Sequence, residues 1–285
     1  MKRISLAAAG LALALMGGAS ALAQAPAAAP APPIGPDRTI VTKDGKTTLP
    51  DWTGVWTMVG NTVFDQSTRV GGAAGAPGTR EVVPYNAEWQ AKYVANQKMV
   101  DDDRWPDPQT ACGIVAGFPR ALNVPDTYEF VNRPEESWIL TENGPNVVRI
   151  YTDGRKHPPA DEVWPTFTGD SVGHWEGDTL VFDTIGLQGW PKKIFDRTGA
   201  IHSDELHTVT RMRRVDANTF EADIVLEDPV AFTKPWHIVK RYRRLPYGTR
   251  LYDYSCAENN RNEISPSGKT LTKDTSGKII DKDKR

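Results

Sequence analysis

The chain has 285 residues, 39% of them hydrophobic and 25% charged, and its 34 Lys and Arg against 36 Asp and Glu leave a formal net charge of −2. That is apolar material enough for a folded domain with a sizeable core, and a charge balance with no basic footprint for nucleic acid. Two cysteines are too few for a Cys-based zinc or iron–sulfur site, and neither a dinucleotide-binding glycine fingerprint nor a P-loop is present, so no nucleotide or other organic cofactor is expected.

Lys2 and Arg3 open the chain, an apolar stretch runs from Leu6 to Met16, and Ala21-Leu22-Ala23 precedes Gln24. This succession of charged, apolar and small residues is that of a secretory signal, so residues 1–23 are expected to direct export to the periplasm or beyond. The apolar stretch is shorter than the roughly 20 residues of a spanning helix, and no later segment suits one, so no membrane span is expected in the mature protein. Residues 24–50 begin almost entirely with Ala and Pro and read as a linker. A β-rich domain is expected over residues 51–263, followed at 264–285 by a polar tail with too little apolar content to order itself.

Within the domain, Asp51 to Trp56 reads as a first strand, because Trp52 and Trp56 share parity. Gly71 to Gly78 is a Gly/Ala-rich loop. The spacing of Trp89, Tyr93 and Val100 predicts a helix over 86–103, capped by Asn86 and stopped by Trp105-Pro106-Asp107-Pro108. From Asp126 onward the pattern changes to short strands: 128–132, 137–142, 147–152, 171–176, 179–184, 205–214, 220–226, 236–244 and 251–255. They are divided by turn residues such as Asn143-Gly144-Pro145 and Gly177-Asp178. Nine or ten closely spaced strands after one helix predict a mainly β fold, a single antiparallel lipocalin-like barrel with one N-terminal helix. A β-sandwich is the other architecture this pattern permits. In an exported chain Cys112 and Cys256 are expected to form a disulfide, two buried thiols being the alternative.

Six segments occur in order: Cys112 with Gly117-Phe118-Pro119-Arg120, Ile150 to Pro158 (IYTDGRKHP), Gly173 to Thr184 (GHWEGDTLVFDT), His202 to His207 (HSDELH), Glu227 to Trp236 (EDPVAFTKPW) and Cys256-Ala257-Glu258-Asn259. Over about residues 51–260 the chain thereby resembles a large family of exported bacterial β-barrel, lipocalin-like proteins, mostly without an assigned function. The resemblance implies a fold and a compartment. It implies no catalytic roles.

Chemistry is sought first among the histidines, because there are only five and three of them fall between 171 and 214. His202, Asp204 and His207 form H-x-D-x-x-H at the mouth of a strand, where an imidazole oriented by a carboxylate can act as a general acid or base. On a regular strand His207, Val209 and Arg211 face one way, so Arg211, with Tyr151 from a neighbouring strand, is expected to stabilise developing negative charge. A packed His207 and a turn-capping Asp204 are the structural alternative. His157, before Pro158, reads as exposed loop. No metal is expected: His202 and His207 with His174 or Asp204 would be the ligands, but residues five apart on a strand fall on opposite faces. Trp138, Trp175 and Trp236 are expected to line a lumen that takes a hydrophobic or aromatic small molecule. Two functions follow, an acid/base lyase, isomerase or hydratase acting on such a molecule, or a non-catalytic carrier of one; a His-ligated metal enzyme is the third.

Overall fold

The computed structural model describes residues 38–42, 45–111, 116–142, 146–252, 263–264, 270–271, 276 and 278–279. Nine strands close into a barrel: β3 (Trp56–Met58), β4 (Thr127–Asn132), β5 (Glu136–Thr141), β6 (Asn146–Tyr151), β7 (Asp170–Glu176), β8 (Thr179–Ile185), β9 (His207–Arg214), β10 (Thr219–Glu227) and β11 (Trp236–Arg244), with β10 and β11 completing the ring between β9 and β3. One helix, α1 (Ala87–Asp101), precedes most of them, and the Asn86 side chain accepts from the Trp89 amide as its cap. Two short hairpins stand apart from the barrel: β1 (Arg38–Thr42) with β2 (Gly45–Leu49) lies in the stretch read as linker, and β12 (Glu263–Ile264) with β13 (Thr270–Leu271) starts at the last residue of the expected domain and runs into the stretch read as tail. Cys112, Cys256 and most of the expected strand at 251–255 lie outside the described residues.

The barrel is mixed, which corrects the expectation of a purely antiparallel one. Eight of its neighbouring pairs are antiparallel, but β6 and β7 run parallel, with Ile150 opposite Ser171. Parity demands it: directions cannot alternate all the way round a closed ring of nine, so at least one pair must be parallel. The period-two alternation of a strand carries no mark of direction, and so the seam is invisible in the local pattern.

Following the pairings, β7, β9 and β11 begin at one end of the barrel, and that end receives the long connections 59–126, 186–206 and 228–235. These fold into a cap. The Tyr85 hydroxyl both donates to the Ile201 carbonyl and accepts from its amide at 2.6 Å, and the Asn96 side chain donates to the Gly199 carbonyl. Buried Lys193 ties two further loops together, its ammonium donating to the carbonyls of Phe118 and Phe167 at 2.6 Å. Gly117 makes room for it: at φ +64° a Cβ there would stand 2.5 Å from the Lys193 Nζ. Arg120 and Asp107 form a buried two-bond pair at 2.8 and 2.7 Å.

The interior is divided in two. From β10 through β11 and β3 to β4 it is largely aromatic: Phe220, Tyr242, Trp56, Tyr128 and Phe130 are buried, and Phe130 stacks on Phe220 at 4.3 Å. From β5 to β9 the inward positions include Ser137, Thr141, Ser171, Thr184, Thr208 and Thr210. Ser171 and Thr184 bond each other at 2.8 Å, while the hydroxyls of Ser137, Thr141, Thr208 and Thr210 find no partner among the described residues. Phe118 enters from the cap to meet Phe182 at 5.9 Å. The chain's own side chains thus pack the barrel, and the cap closes over one end.

Removing one member of a buried, hydrogen-bonded ion pair leaves the other charge uncompensated, which costs about 3–5 kcal/mol. Asp107→Ala should therefore lower the melting temperature by roughly 6–20 °C at the usual 2–4 °C per kcal/mol for a domain of this size. Calorimetry of the purified variant checks this, and a drop under 2 °C would show the pair to be dispensable.

Candidate functional site

The structure separates the residues expected to act together. His202, on the loop before β9, is 0% exposed, its Nδ1 2.9 Å from the Ser203 carbonyl oxygen, its ring 4.7 Å from Phe195 and its Nε2 without a partner among the described residues. Burial, reinforced by the nearby Lys193 ammonium, pushes its pKa down to about 3. It stays neutral at any pH well above that value. Asp204 is exposed and accepts from the Gly189 amide at 2.6 Å, so it ties its turn to a distant part of the same connection and does not orient a histidine.

His207 stands on the other side of the wall. In β9 the buried positions are Thr208, Thr210 and Met212, which turns His207, Val209 and Arg211 outward together. Their shared face was legible in the alternation, but its being the outer face was not, because alternation has no inside or outside. Arg211 is exposed and donates to Glu176 at 2.7 Å, holding that carboxyl below its ordinary range with help from His174. Tyr151 also faces outward, with the Arg155 guanidinium 3.9 Å from its ring centroid. Neither Arg211 nor Tyr151 forms a hydrogen bond to His207.

Around His207 the outer wall assembles a set of groups that the sequence reading did not join. Glu227 is its register partner on β10, and its carboxylate lies 3.4 Å from the His207 Nδ1. Asp183, outward on β8, brings Oδ2 to 3.5 Å from the His207 Nε2 and to 2.8 Å from the Nε2 of His157. The Nδ1 of His157 in turn meets Asp170, the first residue of β7, at 2.5 Å. The result is a line of alternating carboxylates and imidazoles: Asp170, His157, Asp183, His207, Glu227. All five are partly accessible to solvent.

His157, read as exposed loop, is half-buried here and central. A signal for it was present, since four of the six segments noted above converge at this point: Ile150 to Pro158 supplies His157, Gly173 to Thr184 supplies Asp183, His202 to His207 supplies His207 and Glu227 to Trp236 supplies Glu227. Local periodicity could not reveal this, because the 152–169 connection has none.

The tryptophans do not line a common lumen. Trp138 lies on the outer face between Arg133 and Arg149, whose guanidinium carbons stand 4.6 and 5.6 Å from its ring centroid. Trp175 packs on Trp52 at 5.1 Å, and Trp236 is buried with its indole N–H donating to Asp65 at 3.2 Å. The putting of His202 inside and His207 outside also keeps the metal-ligand set considered above from forming, and among the described residues no group of three or more His, Cys, Asp or Glu is disposed to hold a metal ion. No helix among them is long and apolar enough to cross a membrane. Compared with protein-family models, curated proteins and solved structures, the chain matches none.

The depressed pKa of His202 has a consequence for stability. Between pH 6.5 and about 3 the unfolded chain binds a proton here that the folded chain does not, so stability held in full above pH 6.5 is lost as pH falls through this window. At 1.36 kcal/mol per pKa unit the loss is on the order of 4–5 kcal/mol. Urea unfolding at pH 7 and pH 4 should show a smaller acid loss in His202→Gln than in the wild type. Equal acid losses in the two proteins would mean that His202 is not the linked group.

Proposed function

We propose that the protein is an exported enzyme of the lyase, isomerase or hydratase kind, acting by proton transfer on a hydrophobic aromatic small molecule at the outer-wall site of His157, Asp183 and His207. The observation that carries this reading is that two imidazoles turn their Nε2 atoms toward one carboxylate oxygen, Asp183 Oδ2, while the Nδ1 of each faces a carboxylate of its own. A carboxylate at Nδ1 fixes the tautomer of a histidine and steadies its protonated form. Two such rings side by side suit a reaction in which one takes a proton from carbon and the other returns one to oxygen or carbon. Asp183 moderates the charge between them.

This reading keeps His207 from the expected catalytic set, leaves out His202, Asp204, Arg211 and Tyr151 as catalytic groups, and adds His157 and Asp183, with Asp170 and Glu227 as positioning residues. Flat surface for an aromatic substrate is available on the same outer side: Trp164, in the connection that carries His157, is 83% exposed, and Tyr151 lies where that connection begins. The carrier reading asks for an apolar chamber. It has less support, because Trp56, Tyr128, Phe130, Phe220 and Tyr242 occupy the barrel interior.

The test is a screen of aromatic hydroxy and carbonyl compounds for turnover by the mature protein, followed by substitution at the site. His157→Gln, Asp183→Asn and His207→Gln should each keep the melting temperature within a few degrees and lower kcat by a factor on the order of 100 or more, the usual scale of a lost proton-transfer group. His202→Gln should leave kcat unaltered. Wild-type turnover in both His157→Gln and His207→Gln would overturn the assignment.

A further inference from the structure

The cap is built from separate connections, and two of them meet at a pair of acids. Glu81 belongs to the 59–126 connection and Asp196 to the 186–206 connection, and both are buried. Consecutive amides seat them side by side: the Phe64 amide donates to Asp196 Oδ2 and the Asp65 amide to Glu81 Oε2, each at 2.6 Å. The Thr198 hydroxyl completes the seat, 2.7 Å from Asp196 Oδ1 and 3.2 Å from Glu81 Oε1, and the Thr198 amide donates to Asp196 Oδ1 at 2.7 Å. Beside them the rings of Phe64 and Phe195 pack on each other at 4.9 Å.

Two carboxyl groups in so dry a seat cannot both carry charge. The donors decide which of them keeps the proton. Asp196 has the amides of Phe64 and Thr198 and the nearer approach of the Thr198 hydroxyl, a set that supports a carboxylate. Glu81 has one amide and the longer approach of the same hydroxyl, which has a single hydrogen to give. As an acid, Glu81 instead donates to Asp196. Burial first and the Asp196 carboxylate second hold its pKa well above the ordinary 4.5.

Titratable groups face the pair from every element around it. Asp65, on the same connection as Glu81, accepts from the Trp236 indole and from the Ser67 amide and hydroxyl. Tyr93, from α1, reaches the Thr198 hydroxyl at 3.3 Å, and Tyr85 lies within electrostatic reach; burial keeps both phenols protonated. Lys240, inward on β11, gives its ammonium hydrogens to the Val63 carbonyl and to Asn123 Oδ1, at 2.9 and 2.7 Å. Arg120, which also acts on Asp196, is committed to Asp107. We propose that Glu81 and Asp196 form a one-proton clasp of the cap: the two connections come together with a proton held between the acids, and without it like charges push them apart.

Closing the cap then takes up a proton. Because the folded pKa of Glu81 is the raised one, the clasp's contribution is whole below pH 4.5 and is lost progressively above it, until the closed cap itself gives up the proton. Other cap groups run the opposite way: His202, at about 3, favours closure more as pH rises toward 6.5, and Lys193 and Lys240, held by burial to about 7 and about 8, do so from there toward 10.5. Comparison with Glu81→Gln isolates the clasp, since the amide keeps the shape of the protonated acid and has no charge to gain. Neither acid belongs to the outer-wall set of His157, Asp183 and His207, so the clasp is independent of the reaction proposed there.

Hydrogen exchange of the whole protein tests it, read by mass spectrometry on cap peptides covering 62–68, 79–86 and 194–201 in the wild type and in Glu81→Gln at a series of pH values upward from about 5.5. The ratio of wild-type to Glu81→Gln rates cancels the intrinsic pH dependence of exchange. In the cap peptides this ratio should climb about tenfold per pH unit, the linkage expected of one proton, and then level off, while in peptides from β5 and β6 it stays flat. With Asp196→Asn added to both proteins the levelling should come at a lower pH, because one of the two causes that hold the proton is gone. A flat ratio in the cap peptides would sink the clasp, and a climb shared equally by β5 and β6 would assign the proton to global unfolding and remove the cap from the account. Levelling at an unchanged pH with Asp196→Asn would leave burial alone as the cause and overturn the pairing of the two acids.

Discussion

Closing a ring of nine strands forces one parallel pair, and the organisation of the outer wall follows from where that pair falls. Antiparallel neighbours can be joined by a tight turn, whereas parallel neighbours need a connection that returns to the starting end. Here the seam lies between β6 and β7, so residues 152–169 must cross the barrel's outer surface. The crossing brings His157 beside Asp170 and Asp183, residues on strands it does not belong to. Had the seam fallen between β4 and β5, β6 and β7 would run antiparallel, the segment between them would not have to cross the wall, and His157 would have no reason to lie near His207.

Inside the barrel a different constraint operates. The aromatic arc of β10, β11, β3 and β4 supplies large, fully buried rings that pack edge to face and offset, the arrangement in which aromatic pairs gain beyond their area. Across from it, the arc from β5 to β9 presents hydroxyls, four of them without a partner among the described residues. An unmet buried hydroxyl costs about 1–3 kcal/mol, so this arc is the less comfortable half of the core and the rings opposite are what offset it. The cap adds charge: Lys193, with burial holding its pKa down to about 7, donates its ammonium hydrogens to two loop carbonyls, and His202 is kept neutral by burial first and by the nearness of Lys193 second.

The two histidines of the H-x-D-x-x-H segment show why chemistry does not follow from proximity in sequence. Five residues apart, they meet opposite surroundings: one is enclosed by Phe195 and Lys193, the other borders Asp183 and Glu227 in solvent. Only the second is reached by solvent. The partner it acquires, His157, comes from fifty residues earlier in the chain, by way of a segment with no periodic pattern.

Much of the architecture was nonetheless written locally. Alternation of apolar and polar residues marked the strands from β4 to β11, the stripe of Trp89, Tyr93 and Val100 marked α1, and Asn86 marked its start, because strand parity, helical spacing and capping are short-range properties of the chain. That His207, Val209 and Arg211 share a face was equally legible. Which face is the inside, which strands become neighbours, and which pair runs parallel were not, since these depend on how nine elements satisfy one another around a closed ring. The candidate site lies on the undetermined side of that line: Asp170, His157, Asp183, His207 and Glu227 come from four strands and one connection, and only the closure of the barrel decides that they meet.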